Sequence, residues 1–112
     1  MAWMVDEFSK LEGTPSPAAI TGKPLELGGS YGREFSTAQG GVYVLNEAVK
    51  KLKLKPKETK IAIQGYGNAG YFAAKFLHYQ GYKVVAVSDS TGAIYSEEGI
   101  NPESLLSYKK KN

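Results

Sequence analysis

The sequence predicts an α/β fold: a partial Rossmann-type βαβ unit with parallel strands, carried with flanking helices. Three observations support this. Two short apolar runs, Ile61-Ala62-Ile63 and Val84 to Val87, lack polar alternation, as expected of parallel strands covered on both faces. Between them, Ala69, Phe72, Ala73, Phe76 and Leu77 recur at helical spacing, and Gly81 closes the pattern. Strand, helix and strand together span about thirty residues, the size of one βαβ unit, whose crossover should be right-handed.

The remaining elements follow in chain order. Met4, Phe8 and Leu11 are spaced for a short amphipathic helix over residues 2–12, and Gly13 is placed to stop it. Residues 13–32 hold Pro15, Pro17 and Pro24 with Gly22, Gly28, Gly29 and Gly32, the chemistry of a loop or hinge. Ile20, Leu25 and Leu27 give that stretch something to bury, unlike a flexible linker. From Thr37, the residues Val42, Leu45, Ala48, Val49 and Leu52 mark one face of a helix that ends near the lysines and Pro56. Beyond the second strand, the Thr91-Gly92 turn leads into a short extended piece at Ala93 to Tyr95. Asn101 and Pro102 are a favoured cap and first-turn pair, so a last helix is expected over residues 102–110.

Composition excludes several classes. The chain has 112 residues, 42% of them hydrophobic, enough for a packed core rather than disorder. Cysteine is absent, which removes disulfides, thiolate nucleophiles and cysteine-ligated zinc, and makes a cytoplasmic location the expectation. No apolar run approaches membrane-spanning length, so no membrane partner is expected. The net charge is +3, and the excess comes mainly from Lys50, Lys51, Lys53, Lys55 and Lys57 and from Lys109 to Lys111. Both groups fall where helices should end, and cations there complement the carbonyl end of the helix dipole. No arginine cluster or aromatic platform accompanies them, so no nucleic-acid partner is expected. His78, the single histidine, falls in the middle helix away from its N-terminal end and reads as a surface or interface residue. The carboxylates are too scattered to suggest a metal site.

One motif carries chemistry. Gly65-Tyr66-Gly67-Asn68-Ala69-Gly70 fits GxGxxG, leaves a strand and opens a helix. The first glycine permits the tight turn, Gly67 lets the backbone approach a pyrophosphate, and Gly70 lets helix and strand pack closely. Amides of Asn68 and Ala69 at the helix start would face the phosphates. Asp89 ends the next strand about twenty residues on, where a carboxylate can accept hydrogen bonds from the hydroxyls of an adenosine ribose. The ligand expected is therefore a nicotinamide dinucleotide, NAD or NADP. Asp89 favours NAD, because a carboxylate repels a 2′-phosphate; Ser88 and Ser90 can bond either form, and a nearby lysine could offset the charge.

With that motif placed, the surrounding words resemble the middle of a hexameric glutamate dehydrogenase. They are Met1 to Phe8, Ile20-Thr21-Gly22-Lys23-Pro24-Leu25-Glu26-Leu27-Gly28-Gly29-Ser30, Gly32-Arg33, Thr37-Ala38-Gln39-Gly40, Gln64 to Gly70, and Val85 to Ser90. The resemblance implies that Gly65, Gly67, Asn68, Ala69, Gly70, Asp89 and Ser90 hold the cofactor, that Thr37 contacts its nicotinamide end, and that Arg33 lies near the substrate. From chemistry alone, Arg33 reads equally as a surface cation. Many relatives carry arginine where this chain has Gln39, which leaves any anion contact there open.

The resemblance further implies that the segments bearing the family's catalytic lysine and aspartate would precede Met1, and that strands completing the sheet would follow Asn112. No catalytic residue is therefore assigned here, and the isolated chain is expected to show negligible turnover. Residues 1–36 read as a helix and Gly/Pro-rich segment from the substrate-domain side or hinge, and residues 37–112 as a partial NAD(P)-binding domain. In the intact family the reaction would be oxidative deamination of L-glutamate to 2-oxoglutarate and ammonia. A leucine or phenylalanine dehydrogenase shares the motif. The rival from another class is a non-catalytic, nucleotide-binding or oligomerising module. One Trp, four Phe and eight Tyr, with an expected sheet of two parallel strands, leave apolar surface and unpaired strand edges for a homo-oligomer or a partner polypeptide.

Overall fold

The computed structural model describes residues 1–111, which divide into two compact units, Met1–Glu34 and the residues from Phe35 onward. In the first unit, helix α1 (Ala2–Glu12) stops where expected: Gly13 takes a φ of 67° and its amide donates to the Lys10 carbonyl. The apolar stripe of α1 is exposed, Met4 by 59% and Leu11 by 78%, so its amphipathicity buries nothing within the helix's own unit. The Gly/Pro-rich stretch contains two 3-10 turns, Pro17–Ala19 and Leu25–Leu27. The second turns back sharply on itself: a Cβ at Gly29 would lie 2.0 Å from the Lys23 carbonyl oxygen, so only glycine fits there.

The second unit is a three-stranded sheet with helices packed on it. Its elements are α2 (Ser36–Lys51), β1 (Lys60–Gln64), α3 (Asn68–Tyr79), β2 (Lys83–Ser88), β3 (Ala93–Tyr95) and α4 (Pro102–Lys111). The strands lie in the order β1-β2-β3, with β1 parallel to β2 and β3 antiparallel to it. The parallel pair joined through α3 is the βαβ unit expected from the sequence. Helix α3 ends as Gly81 implies, with φ 86° at that glycine and the Tyr82 amide reaching back to the Leu77 carbonyl. Helix α4 starts on the expected cap: the Asn101 side chain accepts from the Glu103 and Ser104 amides at 3.0 and 2.9 Å.

Three features of this unit depart from, or add to, what the sequence suggests. First, β1 is not covered on both faces: Ile61 and Ile63 pack inward, whereas Lys60, Ala62 and Gln64 are exposed. The described helices that pack on β1 lie on one side of it only, so an apolar residue facing the other way meets solvent. The apolarity of β2 does correspond to burial, at Val84, Val85 and Val87. Second, strict alternation fails along β2. Ile61 pairs with Val84 but Ala62 with Ala86, so β2 carries one extra residue at Val85. That bulge returns Val84 and Val87 to the same face, where both join Tyr66, Ala74 and Ile100. Third, the inward stripe of α2 is Ala38, Val42, Leu45 and Val49. Ala48 and Leu52 point outward, the latter 67% exposed.

A second cluster forms from Val42, Val49, Leu77 and Tyr82, with Leu45, Ile61 and Phe76 at its margin, and joins α2 to α3. The phenol of Tyr82 satisfies itself at this margin by donating to Asn46 at 2.8 Å. Val84, 1% exposed, is among the largest side chains buried completely. Val84→Ala removes two methyl groups from a site with little room to collapse, at a cost of about 2 kcal/mol. In thermal unfolding of a domain this size that is a fall in Tm of about 10 °C, whereas Leu52→Ala should leave Tm unchanged.

Candidate functional site

The turn between β1 and α3 is shaped by its glycines, each for a different reason. Gly65 has φ 89°, which L side chains rarely adopt, and its amide donates to the Ser88 carbonyl at 2.7 Å, tying the turn to the end of β2. A Cβ at Gly70 would sit 1.8 Å from the Gly65 carbonyl oxygen and 3.5 Å from Ile63, so the first turn of α3 rests directly on the strand it leaves. Gly67, the residue before α3, has an extended backbone, and a Cβ there would meet no atom within 4 Å. Nothing in the protein requires that position to be glycine.

The intervening Tyr66 points inward. It is 3% exposed, its hydroxyl donates to the Pro102 carbonyl at 2.8 Å, and burial pushes its phenol pKa up to about 12. Its side chain thereby anchors the turn to the start of α4. Among the described residues, the amides of Tyr66, Gly67, Asn68, Ala69 and Gly70 donate to no acceptor in the protein. Those of Gly67, Asn68 and Ala69 belong to exposed residues at the positive end of a twelve-residue helix that no side chain caps.

Asp89 follows β2 beside this turn, because Gln64 and Ser88 are paired across the parallel ladder. Both of its carboxylate oxygens are engaged. Oδ1 accepts from the Thr91 amide at 2.8 Å and the Thr91 hydroxyl at 2.6 Å. Oδ2 accepts from Lys109 Nζ at 2.6 Å, and the same ammonium donates to the Tyr66 carbonyl at 3.1 Å. The bond from Lys109, then the two from Thr91, hold the Asp89 carboxyl well below the usual carboxylate range. Lys109 thus does more than complement a helix end. Sequence reading missed both partners: Thr91 was available as an Asx-turn signal two residues past Asp89, but Lys109 lies twenty residues away with no local cue.

The structure gathers the glycine turn, Asn68, Ala69, Asp89 and Ser90 at one end of the parallel pair, with Ser90 exposed in the turn after Asp89. Thr37 is exposed in the first turn of α2. The ring of Phe35, which precedes that helix, packs on Phe72 and Phe76 of α3 at 5.8 and 5.9 Å between centroids. Arg33 lies in the first unit, in the turned segment before Glu34. His78 is exposed near the C-terminal end of α3. Among the described residues no three His, Asp or Glu side chains converge on a possible metal position. A separate depression lined by Tyr43, Asn46, Val49, Leu54, Pro56 and Tyr82 borders none of these residues.

A buried-side-chain glycine turn between parallel strand and helix, with an acid closing the next strand, defines the class: an α/β domain of the Rossmann type. Residues 28–112 match the Glutamate/Leucine/Phenylalanine/Valine dehydrogenase family, and the chain belongs to that family. It is 53% identical over 106 residues to the catabolic NAD-specific glutamate dehydrogenase RocG of Bacillus subtilis, covering 95% of this chain and 25% of that protein. It is 44% identical over 112 residues to the NADP-specific glutamate dehydrogenase of Synechocystis, covering 26% of that protein. Among solved structures, the hetero-hexameric glutamate dehydrogenase of Thermus thermophilus superposes with a TM-score of 0.89 at 34% identity, over 99% of this chain and 27% of that one. The glutamate dehydrogenase of Peptoniphilus asaccharolyticus gives 0.84 at 40% identity, over 99% and 30%. The chain therefore spans about a quarter of the length of the relatives it matches.

The Asp89 shift has a definite sign. A carboxyl whose folded-state pKa lies below its unfolded value of about 4 contributes stability that is complete above that value and fades as pH falls through the folded pKa. Carboxyl carbon NMR should show Asp89 still ionised at pH 4, and Lys109→Met should raise its midpoint. A midpoint near 4 in the unaltered protein would contradict the Lys109 and Thr91 bonds.

Proposed function

We propose that this chain forms the dinucleotide-holding part of a glutamate dehydrogenase, with the Gly65–Gly70 turn taking the pyrophosphate of NAD or NADP. The observation that carries this reading is the open position at Gly67. Gly65 and Gly70 are demanded by the protein's own geometry, whereas the missing Cβ at Gly67 leaves clear space in front of unpaired amides. A diphosphate fits such a corner because it satisfies outward N–H groups and the helix dipole together.

In this reading the amides of Asn68, Ala69 and Gly70 bind the diphosphate, and Asp89 and Ser90 receive the adenosine ribose. Thr37 contacts the nicotinamide end, and Arg33 serves the substrate side. The first unit is the substrate-domain or hinge segment, and the second the cofactor-binding one. Bound there, a nicotinamide dinucleotide supplies hydride transfer to or from the 2-carbon of an amino acid, L-glutamate and 2-oxoglutarate being the pair the family suggests. The residues of this chain hold and orient that cofactor, which lowers the barrier through positioning. A cytoplasmic location accompanies this reading, and no helix is long and apolar enough to cross a membrane among the described residues.

Two glycine substitutions test the site. Gly67→Ala should leave Tm within about 2 °C, because the added methyl meets nothing and the extended backbone accommodates it. The same change should weaken NADH binding about tenfold or more by holding the diphosphate off the amides. Gly70→Ala should instead destabilise the fold outright. Unaltered NADH affinity in Gly67→Ala would remove the proposal.

We also infer self-association. One edge of β1 is unpaired, its outer face is exposed, and the apolar stripe of α1 is bare. Sedimentation equilibrium at micromolar concentration should report a mass above that of one chain, and a stable monomer would contradict this.

A further inference from the structure

We infer that Lys109 sets cofactor preference, making the ribose corner able to take the 2′-phosphate of NADP(H) despite Asp89. The inference rests on the cofactor site proposed above and names a residue of that site that neither the motif nor the helix-end reading singles out.

A lone carboxylate at the end of the second strand admits the two hydroxyls of an NAD ribose and repels a phosphate placed on one of them. Asp89 is not alone. The ammonium of Lys109 stands 2.6 Å from Oδ2, so the corner carries no net charge. The pair is not a freely exposed surface contact either, since the Asp89 side chain is 17% and the Lys109 side chain 42% accessible.

Donor accounting points the same way. A lysine ammonium has three N–H donors, and the structure uses two, on Asp89 and on the Tyr66 carbonyl. The third remains for a ligand oxygen. Because Tyr66 belongs to the glycine turn and Asp89 follows the next strand, Lys109 bridges the two places a dinucleotide would touch. A phosphate attached to the adenosine ribose would then meet a cation already positioned, with Asp89 neutralised rather than opposed.

The lysine is held there by the fold. Helix α4 is anchored by the Tyr66 hydroxyl on the Pro102 carbonyl, by Ile100 in the core, and by the Lys75–Glu103 pair at 2.9 Å. Lys109 lies two turns further along, and its two bonds end on separate strand termini. Lys110 and Lys111 share the last turn but are exposed, and neither contacts Asp89.

The test is the ratio of NADPH to NADH affinity, measured by calorimetry at one fixed ionic strength on the full chain. The unaltered protein should bind both. Lys109→Met should lower the NADPH-to-NADH preference about tenfold or more, the worth of one charge-assisted bond plus restored repulsion. Lys109→Arg should retain the preference, and adding Asp89→Asn to Lys109→Met should recover most of it by removing the repelling carboxylate. Circular dichroism controls for folding, and the arginine variant keeps the test decisive if the methionine variant does not fold. Parallel weakening of both cofactors would make Lys109 a structural clamp and overturn the inference. Unaltered protein that binds NADH but rejects NADPH would also overturn it while leaving the cofactor site intact. Protein that binds neither nucleotide would overturn both readings.

Discussion

The contact on which the second unit depends is the one at Gly70, where helix α3 comes down on the carbonyl of Gly65. With a side chain there, the helix could not begin where β1 ends, because a Cβ would lie 1.8 Å from a backbone oxygen. Given the contact, the rest of the corner follows. The chain must pass from strand to helix within three residues, which Gly65 permits through its positive φ. The first amides of α3 then emerge beyond the strand end with no carbonyl in reach. Tyr66, between the two constraints, turns its ring into the core and pins the corner to α4.

That pinning gives α4 a role its composition does not suggest. The helix buries little, and its lysines read as ordinary helix-end cations. Yet three of its side-chain or backbone groups meet the βαβ unit: the Pro102 carbonyl, the Glu103 carboxylate and the Lys109 ammonium. Exposed ion pairs elsewhere, such as Lys50–Glu47 and Lys55–Glu58, are solvated on both sides and contribute little. Lys109–Asp89 differs because its acid is mostly covered and doubly bonded by Thr91. The electrostatic character of the site is therefore decided by a helix residue that follows Asp89 in sequence by twenty positions.

Surfaces that a Rossmann-type sheet normally covers are bare here. Ala62 and Gln64 face solvent, and β1 has an unpaired edge. Apolar and hydrogen-bonding groups therefore remain exposed at these places.

Local chemistry determined much of this protein before any coordinates. Gly65 and Gly70, the start of α3, the Asn101 cap, the Gly13 and Gly81 stops and the order strand-helix-strand all depend on neighbours within a few residues, so the sequence displays them directly. Family resemblance was equally legible, because it rests on words of consecutive residues. Tertiary structure alone decided the rest. Apolarity in Ile61-Ala62-Ile63 could not reveal that only one face of β1 is covered, since burial depends on what packs against it. The Val85 bulge arises from pairing between strands, which neither run shows alone. Lys109 reaches Asp89 only because α4 is folded back across the glycine turn, and no spacing along the chain encodes that distance.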